Sequence, residues 1–300
     1  MSTDMVQVIS TIATLRKAEA QTVSLTKNLP EVELKDTITK IVQAYHRDWE
    51  KAKLDFAQNF LSRTWAGIPL PVLSICGRGT QEIRYSKYLG YFLDGNKSHG
   101  LGYRYLDEVI HSITCETIDT YEAKVESEKW IGQTQGKQGF VDCVCDNVIT
   151  CKAYVIFIEQ KIHSSESENQ RSEDRQLIRY DKAIEVNVEY QNKKLLRIYL
   201  TPTGREGSGL KEWISLSHTE LVNAGLRVLS KGGISNVARE NLKRFLLDLL
   251  IGPFNKSEDI VQQLIELAKV SVVGKNFSAR LQFDRLVNNN ELLVKILMEG

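Results

Sequence analysis

YVIFIEQKIH, Tyr154 to His163, is the strongest strand signal in the chain, and the placing of its charges decides how the middle of the protein is read. Side chains alternate along an extended strand, so Ala153, Val155, Phe157, Glu159 and Lys161 share one face and Tyr154, Ile156, Ile158 and Gln160 the other. An apolar face thus ends in an acid and a base. A lone buried charge costs several kcal/mol or more, so the pair needs a partner or a purpose. A salt bridge at the sheet edge meets the first need. A site that binds a cation and a phosphate meets the second.

Outward from this strand the middle of the chain is rich in β signals. YEAKVESEKW (121–130) alternates, GFVDCVCDN (139–147) reads as a short strand with a turn at Asp146 and Asn147, and KLLRIYLTP (194–202) is a further strand stopped by proline and glycine. QLIRYDKAIEVNVEY carries helical spacing from Gln176. The polar tract HSSESENQRSEDR (163–175) has no apolar residue to bury, and is expected to be a mobile loop over the charged strand end.

Helical periodicity dominates both ends. Ile38, Ile41, Val42, Tyr45, Trp49, Leu54, Phe56 and Phe60 predict a long helix packed on a core, broken by GIPLPVLSICGRG (67–79), a connector rather than a phosphate loop because it lacks the Lys-Ser/Thr ending. EIRYSKYLGYFL (82–93) and the residues around Tyr105 to Ile113 predict two more helices. SHTE (217–220) is a capping-box pattern, and three amphipathic stretches follow it. The expected division is 1–68, an N-terminal helical segment; 69–212, a mixed core; and 213–300, a C-terminal helical segment packed on that core.

Composition excludes little. The chain has 300 residues, 39 basic and 38 acidic, so net charge argues against a nonspecific polycationic nucleic-acid coat and leaves a local groove open. Five cysteines form no disulfide or zinc spacing, and read as reduced thiols, those at 143, 145 and 151 buried on strands. The amino terminus resembles an amphipathic helix more than a signal peptide, and no apolar run approaches bilayer length. A cytoplasmic protein without membrane contact is expected.

Asp142 lies on the strand before YVIFIEQKIH, and a turn with a return strand brings it beside Glu159 in the sequence reading. Two carboxylates suit magnesium, which takes one or two protein oxygens and keeps water and substrate phosphate for the rest. The backbone carbonyl of Gln160 is a further candidate ligand. The Lys161 ammonium would orient or help deprotonate an attacking water and oppose charge on a phosphoryl group. GFVD, FIEQK and QLIRY, with these residues, resemble the core of the PD-(D/E)XK nuclease superfamily. EIRYSKYLGYFLDGNKSHGLG (82–102) is similar to the start of a bacterial branch with a glutamate-bearing helix followed by a His-Gly turn. The likeness runs over about residues 80–204, with Val141 where the nominal proline would stand.

The resemblance implies a restriction-endonuclease-like α/β fold, a mixed β-sheet core flanked by helices. It implies Asp142 and Glu159 as metal ligands for Mg2+ or Mn2+, Lys161 as catalytic lysine, and Glu82 as an added acid. Gln176 and Tyr180, four apart on one helical face, would support the site or touch phosphate, as would His99 if it is more than a turn residue. Trp130 and Trp213 are core or rim residues, or platforms for a base. Lys193, Lys194, Arg197, Arg205 and Lys211 are either solvated or a basic track. The implied activity is phosphodiester hydrolysis of DNA before RNA, in bacterial defence or mobile-element biology. Cleaving both strands would call for a homodimer or a protein partner. The competing reading is an inert nuclease-fold binding protein.

Overall fold

A computed structural model describes residues 31–64, 71–116, 118–136, 139–162, 175–207, 209, 211–257, 259–274 and 276–299. The loop expected over 163–174 and the amino-terminal helix pattern lie outside them. Ten α-helices and five strands follow in order among the described residues: α1 (Glu31–Thr64), α2 (Val72–Ile75), α3 (Glu82–Leu93), α4 (Arg104–Thr114), β1 (Lys124–Gly136), β2 (Gly139–Thr150), β3 (Tyr154–Gln160), α5 (Gln176–Val186), β4 (Lys194–Thr201), β5 (Ile214–Ser217), α6 (His218–Lys231), α7 (Asn236–Ile251), α8 (Ile260–Val273), α9 (Phe277–Asn289) and α10 (Glu291–Met298). No helix among the described residues is long and apolar enough to cross a membrane.

The chain divides into two compact units, Met1–Ala57 and Gln58–Gly300. In the first, Ile38, Ile41, Val42 and Tyr45 of α1 are exposed, so the leading part of the stripe expected to pack on a core lies open among the described residues, while Trp49, Leu54 and Phe56 are half-buried. In the second, the last turn of α1 is anchored where Phe60 meets Phe283 edge-on at 5.6 Å and Arg63 Nη1 donates to the Met298 carbonyl at 2.6 Å.

One sheet organises the larger unit, with strand order β1-β2-β3-β4-β5. β1, β2 and β3 form an antiparallel meander, whereas β3, β4 and β5 run parallel, so the sheet is mixed as expected for an α/β core. Helix α5 makes the crossover that parallel strands require. It covers one face, where Leu177, Tyr180 and Ala183 close over Ile131, Cys143, Cys145 and Phe157. On the other side of the unit α3 packs against β1 and β2, with Phe92 stacked on Phe245 of α7 at 4.6 Å. β5 comes from the stretch read as wholly helical. Four residues are too few to show an alternating pattern, and its last residue, Ser217, is also the N-cap of α6, with the full capping box formed through Glu220.

The turn expected at Asp146 and Asn147 is absent. Both lie within β2, and the chain reverses at 151–153 instead. Asn147 is buried because its amide is used: Nδ2 donates to the Ser86 carbonyl of α3 at 2.9 Å, and Oδ1 accepts from Ser127 Oγ at 2.7 Å. Gly90 makes room for that pair, since a Cβ there would stand 2.3 Å from both Asn147 Oδ1 and Ser127 Oγ. Gly90→Ala is expected to destabilise the fold by about 1–3 kcal/mol through overpacking, read from the urea midpoint. An unchanged midpoint would mean that Asn147 can swing aside.

Candidate active site

The charged end of β3 is a buried ionic cluster. Glu159 is 1% exposed, and its Oε1 accepts from Lys161 Nζ at 2.6 Å and from Gln176 Nε2 at 2.6 Å. Its other oxygen, Oε2, is buried without a hydrogen-bond partner among the described residues. Gln176, the first residue of α5, also donates to the Tyr180 hydroxyl at 2.7 Å, one helical turn on, and that hydroxyl donates to the Val144 carbonyl. The spacing of four thus places both residues on the helix face turned to the site. Glu82, at the start of α3, accepts from the Ile162 backbone N–H at 2.9 Å and stands 3.9 Å from Lys161 Nζ.

The aspartate beside Glu159 is Asp146, not Asp142. The β2–β3 ladder pairs Asn147 with Ile158, which makes Asp146 the next neighbour of Glu159; Asp146 Oδ2 accepts from the Gln160 N–H at 2.7 Å. Asp142 lies four residues further along β2, about 13 Å on, where the strand pairs with β1 alone. It is exposed, and its Oδ1 accepts from Trp130 Nε1 at 2.9 Å and Gln133 Nε2 at 2.8 Å. The expected pairing fails because the reversal at 151–153, later than anticipated, shifts the register by four residues.

Gln160 keeps its side chain off the cluster, as strand alternation predicts, and His99 takes the turn role, one of the two open to it. The Gln160 side chain is buried on the opposite face, with Nε2 3.5 Å from His218 Nε2. His99 is locked in its turn: Nε2 bonds the Asp94 carbonyl at 2.8 Å, Nδ1 accepts from the Leu101 N–H at 3.1 Å, and the ring stacks on Phe92. Burial holds its pKa below the ordinary histidine value, which suits a neutral structural imidazole. The basic track is largely spoken for. Arg197 pairs with buried Asp181 at 3.0 Å, Lys211 with Glu185 at 2.9 Å, and Lys193 caps the Cys151 carbonyl at 2.9 Å. Trp213 is buried, donating to Asp181.

Electrostatics mark the cluster as unbalanced. Burial, then the Glu159 charge, push Asp146 up to about 8, and burial raises Glu159 against the pull of Lys161. For Lys161 burial acts downward, but Glu159, Asp146 and Glu82 outweigh it and hold the ammonium above its ordinary pKa. In the metal-free cluster it therefore carries charge. A carboxylate pair with one orphaned oxygen suits a divalent cation that needs only one or two protein carboxylates. Among the described residues no group of three or more His, Cys, Asp or Glu is placed so as to hold a metal ion by itself.

Glu128 is a further acid that the sequence reading missed. It lies between the pairs Ser127–Asn147 and Lys129–Cys145, in a left-handed backbone conformation (φ 55°) unusual for a strand residue other than glycine, and Oε1 accepts from Ser86 Oγ at 3.1 Å. Its charge adds to those that raise Asp146.

Comparison with known proteins agrees with the geometry. The family model described as the PD-(D/E)XK nuclease superfamily matches residues 71–247, a span that includes Glu82, Asp146, Glu159, Lys161, Gln176 and Tyr180. No curated protein and no solved structure matches the chain.

Proposed function

This chain belongs to the PD-(D/E)XK nuclease superfamily, and from that premise we propose that it is a metal-dependent nuclease hydrolysing phosphodiester bonds of DNA before RNA. The observation that carries the reading is the meeting of Glu159, Lys161, Asp146 and Glu82 at the end of β3, with a buried carboxylate oxygen left unpaired. Asp146 and Glu159 would hold Mg2+ or Mn2+, with Glu82 at the rim. The bound cation supplies charge neutralisation at the phosphate and acidifies a water. Lys161, protonated and held against Glu159, opposes the negative charge that grows on the phosphoryl oxygens during attack. Gln176 fixes the Glu159 carboxylate, and Tyr180 fixes Gln176, so the acid cannot turn away from the site.

The test uses the full chain with supercoiled plasmid and with a structured RNA, in EDTA, Mg2+ and Mn2+. Metal-dependent nicking of the plasmid, lost in Glu159→Gln, is the expected result. Equal cleavage of RNA would remove the DNA preference. Absence of both cleavage and calorimetric Mn2+ binding would overturn the nuclease reading in favour of an inert binding module.

A further inference from the structure

The β1–β2 hairpin runs on beyond the cluster and shows a face that is apolar, aromatic and open. Trp130 is 54% exposed, Phe140 74% and Val144 39%. Register aligns them in cross-strand pairs, Trp130 with Val144, Gln133 with Asp142 and Gln135 with Phe140. Cys143 and Cys145, on either side of Val144, point the other way, buried under α5, while Val141 nearer the hairpin tip is itself exposed. Exposed large aromatics in such a row mark a binding surface more often than scattered single ones do.

We propose that this face is where unpaired nucleobases of the substrate stack, with Trp130 as the platform and Asp142 as the residue that positions it. The identity of the ligand rests on the nuclease reading. Three observations support the assignment. The indole is held in one orientation by its bond to Asp142, whose Oδ1 also takes the Gln133 amide, so the ring is set before a ligand arrives. Water would satisfy an indole N–H on a surface as well, so this carboxylate serves orientation rather than desolvation.

Next, β2 passes from Val144 to Asp146 in two residues, about 7 Å, so a chain stacked on Trp130 reaches the acidic cluster within a few nucleotides. Last, the six paired positions include no lysine or arginine. The face offers π surface and the Gln135 amide, which suit base faces and base edges, rather than charge for duplex phosphates. A protein partner fits less well, because a charged carboxylate stands in the middle of the strip, where protein interfaces are depleted of charge.

The experiment measures binding of a fluorescein-labelled oligothymidylate, and of a blunt duplex of equal length, to the full chain in EDTA, so that no cleavage intervenes. Trp130→Ala is expected to weaken single-strand binding about tenfold or more, Trp130→Phe to restore most of it, and Asp142→Ala to fall between. Thermal melts of each variant separate lost binding from lost fold, and quenching of tryptophan emission by the oligonucleotide should vanish in Trp130→Phe. Unchanged affinity in folded Trp130→Ala, equal losses for single strand and duplex, or no single-strand binding by the parent protein would each overturn the proposal. Hydrolysis of bis(p-nitrophenyl) phosphate, which has no base, is followed in the parent protein with Mn2+. Failure there, with Trp130-dependent binding intact, would strike the nuclease reading and leave the stacking surface standing.

Discussion

Asp146→Asn is expected to lower metal-dependent cleavage about a hundredfold or more and to abolish the heat of Mn2+ binding, with the fold retained. Asparagine keeps an oxygen for the Gln160 N–H, the bond that holds β2 at the point where it parts from β3. What it removes is the charge beside Glu159. Asparagine also has no ionisation that burial and the Glu159 charge can oppose, so the metal-free variant should melt higher than the parent at neutral pH while losing its metal. Asp142→Ala should leave the Mn2+ titration unchanged, because Asp142 bonds only Trp130 and Gln133 in the described structure. Retained Mn2+ affinity in Asp146→Asn, or its loss in Asp142→Ala, would return the ligand role to Asp142.

That contrast shows where the sequence is legible and where it stops being so. Glu159 and Lys161 are legible from local periodicity, two residues apart along a strand, whereas Gln176 and Tyr180 come from the resemblance to the superfamily, their spacing of four adding only that they share a helical face. The α/β class was readable for the same reason, from an apolar strand, a helix and another strand in succession. Register is not local. The Asp-Asn dipeptide at 146–147 carries turn propensity, yet both side chains are consumed by tertiary bonds, Asp146 by the Gln160 N–H and Asn147 by α3. Only the late reversal at 151–153, with Thr150 opposite Val155, puts residue 146 across from residue 159. The fifth strand was hidden by its length, and Glu128 by a backbone conformation that no residue type announces. His99, in a glycine-rich turn, is open in the sequence to a turn role or a contact with substrate, and the bonds of its two nitrogens to Asp94 and Leu101 decide for the turn.

Metal-free protein should lose stability as pH rises from about 6.5 through about 8, above the range in which the buried, low-pKa His99 and His218 gain stability as their unfolded-state protons are released. Asp146 has an ordinary carboxylate pKa near 3.8 when unfolded and about 8 when folded, so across this window the folded chain holds a proton that the unfolded chain has released. Folding stability then falls with pH, at up to about 1.4 kcal/mol per unit for one proton, and levels off once the folded carboxyl has ionised. Glu159 is shifted in the same direction and adds to the slope. Lys161 does not oppose it, because a lysine raised above 10.5 contributes its full share of stability everywhere below that value. A cation at the pair exchanges with that proton, so Mn2+ should bind more tightly as pH rises, approaching tenfold per unit below about 8, and should restore the melting temperature most where the metal-free protein is weakest. Differential scanning fluorimetry from pH 5 to 9 in EDTA and in Mn2+ reads both effects. Asp146→Asn should flatten the EDTA curve and remove the Mn2+ shift together. A metal-free melting temperature that instead climbs between about pH 6.5 and 8 would show that Asp146 is ionised in the folded protein and that the cluster is already neutralised by Lys161 alone.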